Sequence, residues 1–122
     1  MIFSNDKAIY VQMADRICDE ILVGTYAEDG RIPSVREYSV MLEVNTNTAV
    51  KAYEQLARDG IIYTRRGMGY FVTAGAKDRI RESRREKFVN DTLPEVFRQM
   101  RLLGIDIKEV DDAWHKDVLS AS

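Results

Sequence analysis

Cysteine, histidine and proline are scarce in this chain of 122 residues, which has one Cys, one His and two Pro. A lone cysteine cannot form an internal disulfide, so we expect a reducing, cytoplasmic setting. Cys18 lies between Ile17 and Ile21 in a helical pattern, which favours a buried thiol over a redox switch. His115 has no second imidazole or thiolate near it in sequence, so no metal or catalytic role is predicted. We expect no cofactor, no metal and no enzymatic activity.

Long apolar segments and an excess of positive charge are also missing. No apolar run approaches the roughly 18 residues needed to span a bilayer, so no membrane partner is predicted. The chain has 18 Lys and Arg against 20 Asp and Glu, a net charge of −2. Nucleic-acid-binding domains usually have a clearly basic surface. Any such surface here must therefore come from local clustering of the basic residues.

The first sixty residues contain patterns typical of three helices. Apolar residues recur at every fourth position from Ile9 to Ile21, and Gly24 provides a helix end. Ser34 and Glu37 have the spacing of a capping box, which predicts a second helix over about residues 35–42. A third helix is predicted to begin within the polar run Asn45–Thr48 and to end at Gly60.

Only about three residues, Glu43 to Asn45, separate the second and third predicted helices, which is the spacing of a helix-turn-helix. The β-branched and aromatic runs "IIYT" and "YFVT" follow, joined by "RRGMG". Its glycines allow a tight turn, so a β-hairpin is predicted. Together these elements predict a winged helix-turn-helix domain over residues 1–75.

Residues 76–122 are predicted to form a second, helical domain. A densely charged segment is expected to leave the first domain as a solvated helix, and two amphipathic stretches joined at Gly104 predict an antiparallel helical arm. Pro94 either starts a helix or kinks a longer one. Such an arm is too small to enclose its own apolar face. That face must meet either the first domain or a second copy of the chain, and we favour a homodimer. The predicted dimerisation residues are Leu93, Val96, Phe97, Met100, Leu103, Val110, Trp114 and Val118.

The run of four small polar residues at Asn45–Thr48 is longer than helix capping requires. A helix-turn-helix places the amino end of its second helix in the major groove, where Asn and Thr can contact base edges and phosphates. Arg36 and Lys51 are placed to hold phosphates, and the hairpin tip has two arginines and two glycines. The candidate DNA-contacting residues are Ser34, Arg36, Asn45, Thr46, Asn47, Thr48, Lys51, Arg65, Arg66, Gly67 and Gly69.

Two other functions fit the same pattern. A winged helix can serve as a protein-interaction module without sequence-specific DNA binding, with the Asn and Thr residues only capping. An unknown small-molecule effector held between the Trp114 helices of a dimer would make the protein a ligand sensor. The local spacing of polar and basic residues favours double-stranded operator DNA as the partner.

The stretch "RIPSVREYSVMLEVNTNTAVKAYEQLARDGIIYTRRGMGYFV" resembles the DNA-binding domain of the GntR family of bacterial transcription regulators, and the resemblance extends over roughly residues 6–74. It implies that Arg36, the Asn45–Thr48 run and the glycine-rich wing tip contact the operator. Thr46 stands where many members have proline, Ala8 replaces another common proline, and Met68 replaces a frequent lysine of the wing.

The short second region resembles the YtrA subfamily, whose small pair of carboxy-terminal helices mainly serves dimerisation. In "RLLGIDIKEV" the turn at Gly104 is followed by a capped last helix. The resemblance implies a homodimeric repressor with a near-palindromic operator, often of a transporter operon. The sequence leaves open the operator, the regulated genes and whether regulation is negative or positive. The fold class predicted is mainly α with a small β-hairpin, a winged helix-turn-helix plus a helical arm.

Overall fold

A computed structural model describes residue 3 and residues 7–121; the predicted domain ends at residues 1 and 122 lie outside these. The described residues form six α-helices, one π-helical turn and one antiparallel hairpin. These are α1 (Ile9–Leu22), α2 (Val35–Leu42), α3 (Thr46–Arg58), β1 (Ile62–Arg65), β2 (Gly69–Val72), α4 (Ala76–Lys87), the π turn (Phe88–Thr92), α5 (Leu93–Leu103) and α6 (Ile107–Ala121). The chain divides into two compact units, one ending at Ser83 and one starting at Arg84.

The predicted helix ends in the first unit are confirmed. Gly24 follows α1 with a left-handed φ of 86°. At α2 the Ser34 hydroxyl accepts from the Glu37 N–H and the Glu37 carboxylate accepts from the Ser34 N–H, so the capping box is complete. Gly60 follows α3 with φ 73°. Without such caps, the backbone N–H and C=O groups at the helix ends would have no hydrogen-bond partner within the helix.

The core of the first unit lies where α1, α2 and α3 meet the inner face of the hairpin. Among the described residues, every buried residue of the chain belongs to this unit, between Met13 and Ile80. The largest fully buried side chains are Tyr38, Tyr53, Met13, Ile17, Ile32, Leu56, Ile62 and Val72. Burial of this apolar surface holds the three helices in fixed positions.

The hairpin is confirmed, with its strands shifted by one residue from the predicted runs. Ile62 pairs with Val72 and Arg65 with Gly69, so Arg65 and Gly69 are strand residues and only residues 66–68 form the turn. Residues 29–32 extend the pairing along the other edge of β2. There the Asp29 N–H donates to the Val72 carbonyl over 2.8 Å, and Arg31 forms a bridge with Phe71.

Helix α4 does not begin as a solvated helix. Ala76 and Ile80 are buried in the first unit's core, at 0% and 4% exposure. Arg79 donates from Nη1 to the carbonyls of Asp59 and Gly60 at the end of α3. Two apolar side chains in a charged segment are too few to produce an amphipathic pattern, although both are buried. The functional division at residues 75 and 76 remains a prediction.

Pro94 lies in the first turn of α5, directly after the π turn. Proline has no N–H to offer the carbonyl of Asn90, and its ring crowds that carbonyl. Asn90 belongs to the wider π turn, a conformation that usually occurs as a single turn within longer helical segments. The sequence left two alternatives for Pro94, a helix start or a kink within a longer helix. Each is partly correct, because Pro94 lies at the start of α5 while the helical backbone continues from the π turn into α5.

The second unit has helices with exposed apolar faces. Gly104 ends α5 with φ 68°, and Asp106 and Glu109 form a capping box at the start of α6, which is the capped last helix expected from the sequence. Among residues 84–121 no residue is buried, and α5 and α6 make few contacts with each other. The antiparallel arrangement of the arm remains a prediction. No helix within the described residues has the length and apolar character needed to cross a membrane.

Candidate nucleic-acid interface

The turn between α2 and α3 sets the start of α3. Glu43 has a left-handed φ of 55°, a conformation that non-glycine residues rarely adopt. The Val44 N–H donates to the Ser39 carbonyl over 3.0 Å, which satisfies one of the last acceptors of α2. The chain thereby reverses within three residues, as the sequence predicts for a helix-turn-helix.

Buried tyrosines fix α2 against α1 and α3. The Tyr38 hydroxyl donates to Glu20 Oε1 of α1 over 2.8 Å, and the Tyr53 hydroxyl of α3 donates to the Pro33 carbonyl over 2.6 Å. Their ring centroids are 6.2 Å apart. Burial, followed by the contact with Glu20, raises the pKa of Tyr38 far above its ordinary value. Both hydroxyls therefore stay protonated donors, and the amino ends of α2 and α3 keep one orientation.

The amino end of α3 presents short polar side chains. Asn45 is the cap, since its Oδ1 accepts from the Asn47 N–H over 2.7 Å. Thr46 and Asn47 are exposed, and Thr48 is half-buried. Lys51 is exposed one turn after Asn47, so the two share one face of the helix. One residue of the polar run is thus used for capping, while Thr46 and Asn47 stay open to a ligand.

The basic residues of the candidate site differ in how they are held. Arg36, Lys51 and Arg66 are exposed, and within the described part of the chain their side chains have no hydrogen-bond or ion-pair partner. Arg65 is different, because its Nη2 donates to the Tyr63 hydroxyl over 2.9 Å and its guanidinium lies over the Phe71 ring. Three of the four predicted cations are therefore available to an anionic partner without breaking an existing contact.

The tip of the hairpin is a three-residue turn, Arg66 to Met68. The Met68 N–H donates to the Arg65 carbonyl over 2.9 Å, and Gly67 has a φ of 74°. Gly69 also has a positive φ, and a Cβ there would lie 3.4 Å from Arg31 Nε. These two glycines are needed for the backbone conformation of the tip. Arg66 and Met68 are both exposed there.

The GntR family model, described as bacterial regulatory proteins, matches residues 9–72, the region that contains all of these features. The chain belongs to the GntR family. A solved transcriptional regulator of this family from Bacteroides thetaiotaomicron is 47% identical, with a TM-score of 0.79, and the match covers 94% of this chain and 100% of that one. The likeness therefore extends through the second unit as well as the winged domain.

Two further proteins concern the function of GntR regulators. The transcriptional repressor YtrA of Bacillus subtilis is 29% identical over 90% of this chain and 83% of its own length. A solved structure of the DNA-binding domain of AraR in complex with its operator ORX1 has a TM-score of 0.53 and 27% identity, covering 59% of this chain and 93% of that one. The family membership identifies this GntR protein as a transcription regulator with a DNA-binding domain.

One basic residue of this GntR domain is missing from the sequence-based site. Arg31 is exposed, its Nη2 lies 3.8 Å from Glu37 Oε1 at the start of α2, and it lies beside Gly69 of the wing. It is brought there by the bridge to Phe71, forty residues along the chain. No periodic pattern in the sequence marks that pairing, so only the fold reveals that Arg31 lies between α2 and the wing.

Proposed function

We propose that this GntR regulator binds a near-palindromic operator as a homodimer and represses transcription from it, acting in the cytoplasm where that DNA is found. The exposed amino end of α3, with Asn47 and Lys51 on one face, is the observation that carries the proposal. In this arrangement α3 enters the major groove, where amide and hydroxyl groups contact base edges.

The unpaired cations support a division of roles within the site. Arg36 and Lys51 bind phosphates on either side of the groove, and Arg66 reaches the minor groove from the wing tip. The chain is slightly acidic overall, with a net charge of −2. Affinity for DNA thus depends on these few exposed cations, and it should fall steeply as the salt concentration rises.

The apolar face of the second unit supports the homodimer. Among the predicted dimerisation residues, Trp114 is 64% exposed and Leu103 is 70% exposed. Extensive exposure of large apolar side chains supports a protein-protein contact. A two-fold dimer presents two copies of α3, which bind half-sites about 34–36 Å apart or at a multiple of that distance. The name of the repressor YtrA supports negative regulation.

Selection from a random duplex pool, followed by fluorescence anisotropy across a salt series, tests operator binding. We expect one shared palindromic sequence, bound far more tightly than bulk DNA. If no sequence is enriched and only weak binding remains, the protein-interaction alternative replaces this proposal.

Variants of single cations test the proposed phosphate contacts. Arg36→Ala should weaken binding to all duplexes alike and lower the salt slope by about one unit. Arg58→Ala is the matched control, because Arg58 is an exposed cation at the opposite end of α3 and should leave the slope unchanged. An unchanged slope for Arg36→Ala would remove Arg36 from the site.

A further inference from the structure

We propose that Arg65 positions the wing and does not contact DNA, and that it acts through a clamp formed with Asp29, Tyr63 and Phe71. The inference rests on the proposed DNA-binding function of the wing. In the sequence, Arg65 and Arg66 are adjacent basic residues and both are expected to contact DNA. The inference assigns Arg65 a positioning role instead. Arg66 then becomes the wing arginine that reaches the duplex.

The outer face of the wing brings the four clamp residues together. Tyr63 and Arg65 are two residues apart on β1, so their side chains lie on the same face. Phe71 of β2 is the direct partner of Tyr63, and partners across a strand pair also share a face. Gly69 is the partner of Arg65, so no side chain on β2 opposes the guanidinium. Arg65 is thereby free to fold back towards Phe71.

Arg65 is exposed to solvent, yet its guanidinium makes defined contacts with two aromatic rings. Its guanidinium carbon lies 4.3 Å from the centre of the Phe71 ring and 5.6 Å from that of Tyr63. The two rings are stacked with centroids 5.9 Å apart. Phe71 is only 6% exposed although it lies on the outer face. Arg65 and Tyr63 both pack against this ring, and a cation over an aromatic face is stabilising.

The clamp also joins the wing to the loop before α2. The Tyr63 hydroxyl donates to Asp29 Oδ1 over 2.9 Å while it accepts from Arg65 Nη2 over 2.9 Å. Asp29 is itself fixed, because its N–H donates to the Val72 carbonyl. Moving Arg65 to a phosphate would break a charge-assisted hydrogen bond and uncover Phe71. Arg66 has no partner in the described residues and moves at no such cost.

Substitutions that retain the positive charge distinguish a positioning role of Arg65 from a direct contact with DNA. Lys retains the charge that a phosphate needs, but it lacks the planar fork that stacks and bonds to Tyr63. Arg65→Lys should therefore weaken operator binding about three- to tenfold with an unchanged salt slope. Tyr63→Phe, which removes one hydroxyl and no charge, should produce a loss of similar size. Combined, the two changes should weaken binding by less than the product of the single effects, because they remove the same contact.

Further variants provide the comparison and the control for Arg65→Lys. Arg66→Lys should bind close to wild type, while Arg66→Gln should lower the salt slope by about one unit. Arg58→Lys makes the same arginine-to-lysine change at an exposed arginine outside the clamp and the proposed DNA site, so it should retain wild-type affinity. Amide hydrogen exchange of residues 66–68 in the free protein should increase in Arg65→Lys and Tyr63→Phe and stay unchanged in Arg58→Lys.

The outcomes separate this inference from the proposed function. If Arg65→Lys binds like wild type and Arg65→Gln lowers the salt slope by about one unit, Arg65 is a direct contact and the inference is wrong. If the wild-type protein selects no duplex, the proposed function fails instead, and hydrogen exchange alone decides whether the clamp orders the wing. Unchanged exchange in both clamp variants would then overturn it.

Discussion

The two units contain similar amphipathic helices, but only the first unit buries them. Tyr53 and Leu56 of α3 are almost completely buried, whereas Val96 and Phe97 of α5 are 38% and 44% exposed. Both pairs lie on an apolar stripe with helical spacing. Such a stripe shows that a helix face requires a covering surface. It does not show whether that surface comes from the same chain or from another one.

The largest expected effect comes from placing a charge on the uncovered face of the second unit. Phe97→Glu should weaken dimerisation by more than about 100-fold, since the interface would bury an unpaired carboxylate. Sedimentation equilibrium measures the association. Val23→Glu is the control, because Val23 is 78% exposed in the first unit and belongs to no apolar stripe of this kind. If Phe97→Glu associates like wild type, another surface covers α5.

An effect of comparable free energy is expected within the core of the first unit, at the helix that the sequence assigns to the second domain. Ile80→Ala should lower the free energy of unfolding by about 2–4 kcal/mol, through lost burial and the cavity left behind. Urea unfolding followed by circular dichroism measures this loss. The neighbouring Arg81→Ala, at an exposed position, should change stability by no more than about 0.5 kcal/mol. Equal stability of both variants would mean that α4 is not part of the core.

The smallest effect concerns the capping box of α2 and its dependence on pH. Hydrogen bonds from the backbone and side chain of Ser34 hold the pKa of Glu37 below its ordinary value. The folded state therefore favours the carboxylate. Its contribution to stability is complete above the ordinary glutamate pKa and is lost as the pH falls through the lowered one.

Glu37→Gln removes this titration and keeps an acceptor for the Ser34 N–H. The difference in stability between wild type and Glu37→Gln should therefore be small at neutral pH and should shrink in acid. Urea unfolding at a series of pH values measures that difference. A difference that grows in acid would contradict the lowered pKa.

Local sequence signals predict the elements of the first unit well. Ser34 with Glu37, and Asp106 with Glu109, act within a single turn of helix, so their spacing is sufficient to place two helix starts. Gly24, Gly60 and Gly104 mark helix ends for an equally local reason. The bounds of α2 are correct to the residue.

Contacts between distant residues are the part that the sequence does not reveal. Arg65 and Arg66 are adjacent residues of the same type, and they differ because Tyr63 and Phe71 contact Arg65. Ile80 lies in a charged segment where no stripe identifies it, yet it enters the core. In both cases the decisive neighbour is supplied by tertiary structure, and helical periodicity cannot predict it.

The cap at Asn45 has a consequence for the operator itself. Pairing of an asparagine with adenine at two points uses the amide oxygen and nitrogen together. The Asn45 oxygen is already held by the Asn47 N–H over 2.7 Å, so turning it towards a base would uncap α3. In the proposed complex Asn47 alone of the two asparagines is free to pair in this way. We therefore expect each half-site to contain one adenine read by an amide, while the second asparagine caps the helix and does not read the sequence.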